Sequence, residues 1–260
     1  MTALMYHDVV SEQDADRSGF RGRGPALYKV GPEQFAAHLD AILTVLPEAS
    51  TGQDVVITFD DGGVSALLAA DELERRGLRG HFFITTNYIG TAGFLDASGI
   101  RTLARRGHTI GSHSCSHPLR IGHCEWHQLV AEWTDSRAIL ADIVGTDVRS
   151  GSAPGGDFAP PVASAAALAG YDTLFTSEPM TSVDRRFGLT LVGRFAIRRW
   201  TKPQTAAGLA AGHLLPVSRQ ALAWKVLKWS KRLGGVHYLH LRQILLRTRD
   251  EVRWGDHHQA

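Results

Sequence analysis

The stretch Val55-Val56-Ile57-Thr58-Phe59-Asp60-Asp61-Gly62 runs an apolar segment straight into two adjacent carboxylates and a glycine. Two aspartates side by side at a strand end repel each other, and burying both as anions is costly. A bound cation removes that cost. The same residues can also serve as an Asx turn and N-cap for a following helix. A second group, Gly111-Ser112-His113-Ser114-Cys115-Ser116-His117-Pro118, places two imidazoles four residues apart. Such a pair converges on one metal where the backbone curls or is helical. His123 and His127, beside Glu125, repeat the spacing and compete for the role. They read first as surface residues at the start of a long helix. One Asp with two His is a donor set that leaves coordination positions open for water and substrate.

These residues need strands to carry them. Short runs rich in Val, Ile, Phe and Tyr predict strands at Ala3–Tyr6, Val55–Phe59, His81–Thr85, Thr109–Gly111, Thr173–Thr176 and Leu191–Ile197. Helical patterns lie between them: Pro32–Leu46, Val64–Arg76, Ser98–Arg106, Glu125–Val144 and Pro160–Ala169, most of them closed by a glycine. Strand alternating with helix predicts parallel βα units, and this many in one domain favour an α/β barrel over an open sheet. Both chemical groups then sit at C-terminal strand ends, where such barrels build their active sites.

Residues 200–249 break the alternation. Ser218 is placed to cap a helix running to Leu233, with Leu222, Val226, Trp229 and Leu233 on one face and Lys225, Lys228, Lys231 and Arg232 away from it. A second helix, Tyr238–Arg247, follows Gly234-Gly235. A basic amphipathic helix with Trp suits a membrane surface, and it suits equally a helix packed on the barrel with its lysines solvated. The expected organisation is a barrel over 1–200 and a basic helical extension over 201–260.

The chain has 260 residues, 43% hydrophobic and 21% charged, as in an ordinary folded domain. That composition excludes wholesale disorder, collagen and coiled coil. No apolar run reaches the roughly 18 residues of a membrane span. The start, MTALMYHDVV, does not read as a secretory leader, and two cysteines, Cys115 and Cys124, are too few for a disulfide scaffold. A cytoplasmic setting, with the extension peripheral at the inner membrane surface, is the expectation. The net charge of +2 hides a division. Residues 1–184 carry 23 acidic and 13 basic side chains, whereas 185–249 carry 14 basic and no acidic ones. The basic stretch suggests an anionic partner, a phosphate-bearing substrate or an acidic lipid surface, unless its cations pair with the acidic part. Nucleic acid is not expected, because no recognition motif accompanies the charge.

Thr58-Phe59-Asp60-Asp61-Gly62, then His113-Ser114 through His117, then Pro154-Gly155-Gly156 stand in an order that resembles the NodB-homology polysaccharide deacetylases, carbohydrate esterase family 4. Leu4-Met5-Tyr6-His7-Asp8 and Gly107-His108-Thr109-Ile110-Gly111-Ser112-His113 also fit, so the likeness covers about residues 3–200. It implies a distorted (β/α)7-type barrel and hydrolysis of an N-acetyl group on an amino sugar, in a polysaccharide, glycolipid or nucleotide- or lipid-linked precursor. By the same likeness Asp60 is the general base, and Asp61, His113 and His117 hold a divalent ion, usually Zn2+. The ion polarises the acetyl carbonyl and lowers the pKa of a bound water. Pro154, Gly155 and Gly156 form the loop that offers a backbone N–H to the oxyanion. The general acid is His7, after the Tyr-His motif of one branch, in preference to His240 of Leu239-His240-Leu241.

This chain departs from the family pattern at Ser152, where many relatives have an arginine that orients the base. Arg149 or Arg194 is the candidate substitute. Cys115 reads as a spacer between ligands. The glycine-rich segment Gly19–Gly31, with Arg21, Arg23 and Lys29, is expected to be a flexible loop over the site. The alternatives are hydrolysis of another non-peptide C–N bond on the same scaffold, or an inactive relative that binds carbohydrate or lipid.

Overall fold

The structure is a computed structural model that describes residues 1–46 and 55–226. In chain order its strands and helices are β1 (Thr2–Tyr6), α1 (Arg23–Ala26), α2 (Pro32–Leu43), β2 (Val55–Phe59), α3 (Ala66–Glu74), β3 (Gly80–Ile84), α4 (Ala97–Arg105), β4 (Thr109–Ser112), α5 (Trp126–Val144), β5 (Ser150–Ser152), α6 (Pro160–Leu168), β6 (Thr173–Phe175), β7 (Val183–Arg186), β8 (Leu189–Val192), β9 (Phe195–Ala196) and α7 (Pro203–Ala210). The strands form one sheet in the order β7-β8-β6-β5-β4-β3-β2-β1-β9. Every pairing is parallel except that of β7 with β8.

Only Gly193 and Arg194 separate β8 from β9. β8 pairs with β6 at one flank of the sheet, and β9 pairs with β1 at the other. One stretch of chain thus joins the two flanks, so the sheet curls into a distorted α/β barrel of seven parallel positions, the last of them broken in the middle. Arg194 lies at that break.

Side chains alternate between two cores, as the pleat requires. Leu4, Tyr6, Phe59 and Phe82 face the helices and pack with Phe35, Leu39 and Leu73. Ala3, Phe83, Phe175 and Val192 point the other way and form a small interior cluster. Glycine is required where β4 lines that interior. A Cβ on Gly111 would lie 2.5 Å from the Phe83 ring and 2.8 Å from the Ser150 carbonyl oxygen. Helix ends follow local chemistry. The Asp96 carboxylate accepts from Gly99 N–H at the start of α4, Glu125 and Gln128 form a reciprocal capping box for α5, and Gly145 ends α5 in the left-handed conformation.

The chain divides into two compact units, Met1–Val217 and Ser218–Ala260. In the first, α7 packs against α2, so the barrel's own structure continues past residue 200. Residues 214–226 are helical, which places Ser218 inside a helix rather than at its cap. The expected continuation to Leu233, the helix Tyr238–Arg247 and His240 lie outside the described residues. Among those described, no helix is long and apolar enough to cross a membrane.

Candidate metal centre and active site

β2 delivers Asp60 and Asp61 to its C-terminal end, where Asp60 N–H continues the pairing with β1 by donating to the Tyr6 carbonyl. β4 delivers His113, whose N–H donates to the Ile84 carbonyl at the end of β3. The chain then turns sharply, and His117 comes back toward the same point. Donor atoms of Asp61, His113 and His117 all lie within 4.8 Å of one another. Asp61 Oδ1 is 3.4 Å from His113 Nε2 and 3.5 Å from His117 Nε2, yet it is buried with no hydrogen-bond partner. A buried carboxylate oxygen left without a donor, faced by two imidazole nitrogens, is what a divalent ion would satisfy, so these residues fit a metal.

The supports of this trio are equally specific. His113 Nδ1 lies 2.9 Å from the Ser152 carbonyl, which fixes the proton on Nδ1 and leaves the Nε2 lone pair available to bind a metal ion beside Asp61. The turn that carries His117 is held by Glu132 of α5. Its carboxylate accepts from the N–H groups of Cys115 (2.8 Å) and Ser116 (2.9 Å) and from the Ser116 hydroxyl. Asp61, Ser114 and His117 all adopt positive φ, at 77°, 64° and 57°. Such backbone costs on the order of 1 kcal/mol or more per residue, and among the described non-glycine residues only Phe187 shares it. The strain is concentrated where the donors converge.

Asp60 stands apart from the trio. Both its oxygens accept from Arg194, Oδ1 from Nη1 and Oδ2 from Nη2, each at 2.7 Å. Arg194 is fully buried and uses its whole donor fork. Nε donates to the Thr176 carbonyl, Nη1 also to Thr58 Oγ1 and Nη2 also to Ser152 Oγ. Its guanidinium lies over the rings of Phe83 and Phe175. Burial alone would raise the Asp60 pKa. Arg194, with His113 and His7, outweighs burial and holds the carboxyl well below its usual range. Asp61 is likewise pushed up by burial and brought below its ordinary value by His113, His7 and His117.

Arg194 therefore occupies the position next to Asp60 that Ser152 leaves open. Ser152 itself adds a hydroxyl 3.3 Å from Asp60 Oδ2. Arg149 is elsewhere, on the surface, paired with Asp172 and Asp147. His7 follows β1, is partly buried, and acts electrostatically on both Asp60 and Asp61. Its ring packs at a tilt against Tyr28 with centroids 4.7 Å apart, and its Nδ1 has no partner. Pro154–Gly156 forms a short 3-10 turn directly after β5, with Gly155 and Gly156 at positive φ. A Cβ on Gly155 would meet the Leu119 carbonyl oxygen at 2.4 Å. His123 and His127 are exposed and do not join the cluster; His123 faces Arg120 and Asp157 instead.

The segment Gly19–Gly31 is not a loose loop. Lys29 is buried, donates to the carbonyls of Ala15, Ser18 and Phe20, and lies 3.8 Å from Asp8, which also accepts from Ser18 and Ser65. This clamp sets Phe20 against His117, ring centroids 4.7 Å apart. Sequence reasoning missed the clamp, and it missed Glu132 as well. Only the mixture of a lysine with four glycines hinted at the first, and nothing local marked the second.

Residues 48–174 match the family model described as polysaccharide deacetylase. The peptidoglycan-N-acetylglucosamine deacetylase PgdA of Listeria monocytogenes is 31% identical over 75 residues, which make up 28% of this chain and 15% of that protein. YxkH of Bacillus subtilis is 24% identical over 179 residues, 68% of this chain and 64% of that protein. The chain thus spans only part of the length of both relatives. Among solved structures, a polysaccharide deacetylase from Bacillus cereus superposes with a TM-score of 0.65 at 19% identity, covering 80% of this chain and 68% of that one. The curled sheet has the fold of these solved deacetylases. Residues 48–174, a little under half of the chain, thus match the polysaccharide deacetylase family, and the fold is that of solved polysaccharide deacetylases.

Proposed function

We propose that this protein removes an N-acetyl group from an amino sugar. The observation that carries the reading is the division of labour between adjacent aspartates. Asp61 is unsatisfied and faces His113 and His117, whereas Asp60 is locked as an anion by Arg194. A divalent ion held by Asp61, His113 and His117, zinc being the usual choice for such donors, supplies Lewis-acid activation of the acetyl carbonyl and of water.

The remaining work falls to side chains and backbone. Asp60 orients the attacking water and accepts its proton, since it is ionised and fixed by two parallel hydrogen bonds. Pairing with Arg194 makes it a weak base, and this is the cost of its fixed geometry. The backbone N–H groups of Gly155 and Gly156 are offered to the oxyanion. His7 gives a proton to the leaving nitrogen, with an unpartnered ring nitrogen and close electrostatic contact to both aspartates. The products are acetate and the free amine.

Arg194 bears on the inactive-relative reading. That reading drew its support from Ser152 standing where an arginine is expected, and the pairing of Arg194 with Asp60 removes the support. The test is acetate release from N-acetylglucosamine oligomers by the metal-loaded protein. Release by wild type and its loss in Asp60→Asn support the proposal. Full release by Asp60→Asn would show the assigned base to be wrong. Ammonia or a ring-opened product from a cyclic amide, with no acetate from any sugar, would favour the alternative C–N hydrolase.

A further inference from the structure

Beside His7 a row of flat groups leads away from the reaction centre. His7 packs at a tilt against Tyr28, the Arg198 guanidinium lies 5.9 Å from the Tyr28 ring centroid, and the same guanidinium lies 5.7 Å from the ring centroid of Trp200. Arg198 takes one face of the indole, yet Trp200 remains 46% exposed. The turn that carries it is held by hydrogen bonds. Arg199 N–H donates to the Leu27 carbonyl, and the Arg198–Thr201 turn closes on itself through Thr201 N–H to Arg198 O and Arg198 N–H to Thr201 Oγ1. Two side chains of α2, Gln34 and His38, both reach the Thr201 carbonyl, at 2.7 and 2.8 Å. The same contacts tie the Trp200 turn to the segment that carries Tyr28.

We infer that Trp200, backed by Arg198 and Tyr28, is a sugar-stacking subsite that holds an N-acetylated unit of an oligosaccharide away from the one being deacetylated. This rests on the deacetylase reading above and narrows its substrate to a chain of several sugars. The chemistry is direct. A pyranose presents an apolar face of C–H groups that covers an indole ring and excludes water from it. A platform already fixed in place loses little freedom on binding, so more of the contact appears as affinity. The guanidinium between the two rings makes the platform cationic. A sugar with a free ammonium group is repelled there, whereas a neutral acetamido sugar is not. The subsite therefore favours a neighbour that is still acetylated.

The test uses N-acetylglucosamine monomer, trimer and pentamer with the metal-loaded full chain, and measures KM for acetate release together with pentamer affinity by calorimetry. KM falls with chain length in wild type. In Trp200→Ala the advantage of pentamer over monomer shrinks about tenfold, and Trp200→Phe restores most of it. Wild type binds the acetylated pentamer several-fold more tightly than the fully deacetylated one, and Arg198→Gln narrows that gap. Equal length dependence in wild type and Trp200→Ala, with both proteins folded by thermal melt, overturns the subsite. Absence of acetate from every sugar, while pentamer binding still weakens in Trp200→Ala, refutes the catalytic reading and leaves the subsite standing.

Discussion

Replacing Arg194 with methionine removes the cation that faces Asp60 while keeping much of the side chain's volume. The structure shows what is lost. Three nitrogens make five donations, to Asp60 Oδ1 and Oδ2, Thr58 Oγ1, Ser152 Oγ and the Thr176 carbonyl, all in a fully buried setting. Removing one partner of a buried ion pair strands the other, at a cost of about 3–5 kcal/mol. For a unit of this size that corresponds to a fall in Tm of roughly 6–20 °C. Burial of Asp60 is then opposed by His113 and His7 alone, so its pKa rises. Because the folded pKa is depressed in wild type, the pair's stability is present above the ordinary carboxylate value of 3.8 and fades as pH falls below it. The gap between wild type and variant is thus widest near neutrality and narrows in acid. Urea melts at pH 7 and pH 3.5 measure it. The double variant Arg194→Met, Asp60→Asn recovers at least about 1 kcal/mol relative to the sum of the single variants, because neither leaves a charge stranded in the presence of the other. Simple additivity, or a loss below about 1 kcal/mol in Arg194→Met, would refute the claim that this pair organises the site.

Glu132→Gln loosens the turn that carries His117 and weakens zinc affinity by about 10–100-fold in competition with a chelator, with little change in Tm; unchanged affinity would count against the clamp. His81, inside the barrel with its Nδ1 unpartnered, is lowered by burial from 6.5 to about 4. The unfolded chain takes up that proton first, so stability falls between about pH 6.5 and pH 4, by about 1–3 kcal/mol after allowance for partial exposure. His81→Gln flattens that part of the pH–stability curve, and an unchanged curve would exclude His81 as its source. Leu214, Leu215, Leu222 and Val226 are exposed, and residues 185–249 carry only basic charge, so we propose cosedimentation with vesicles containing anionic lipid and its loss at high salt. Equal recovery with and without anionic lipid would remove membrane attachment from the account.

Much of the barrel was legible because its strands are short apolar runs and its helices end at glycines. β2 falls at Val55–Phe59 as the pattern predicts, and α5 differs from its predicted range by one residue. β5 was missed because Ser150-Gly151-Ser152 carries no apolar signal. A Cβ on Gly151 would press on Trp133 at 3.1 Å, so packing and not propensity selects this strand. β7 was missed because Val183–Arg186 is a charged strand paired on one side only. The trio Asp61, His113 and His117 could be suspected from spacing, but His123 and His127 had the same spacing, and only the turn after β4 separates the two pairs in space. Arg194 was one of two candidates. What distinguishes it from Arg149 is the break between β8 and β9, a feature of sheet closure that no local pattern encodes. Lys29 and Glu132 act on backbone carbonyls and N–H groups, and such partners leave no signature in side-chain sequence.

We propose that Asp61, His113 and His117 form a single metal site. Elemental mass spectrometry on tag-free protein tests it most directly, comparing wild type with His113→Ala and His123→Ala. The account predicts close to one equivalent of zinc or a similar divalent ion per chain in wild type and in His123→Ala, with loss in His113→Ala. No tightly held metal in wild type, or loss only in His123→Ala, would contradict it.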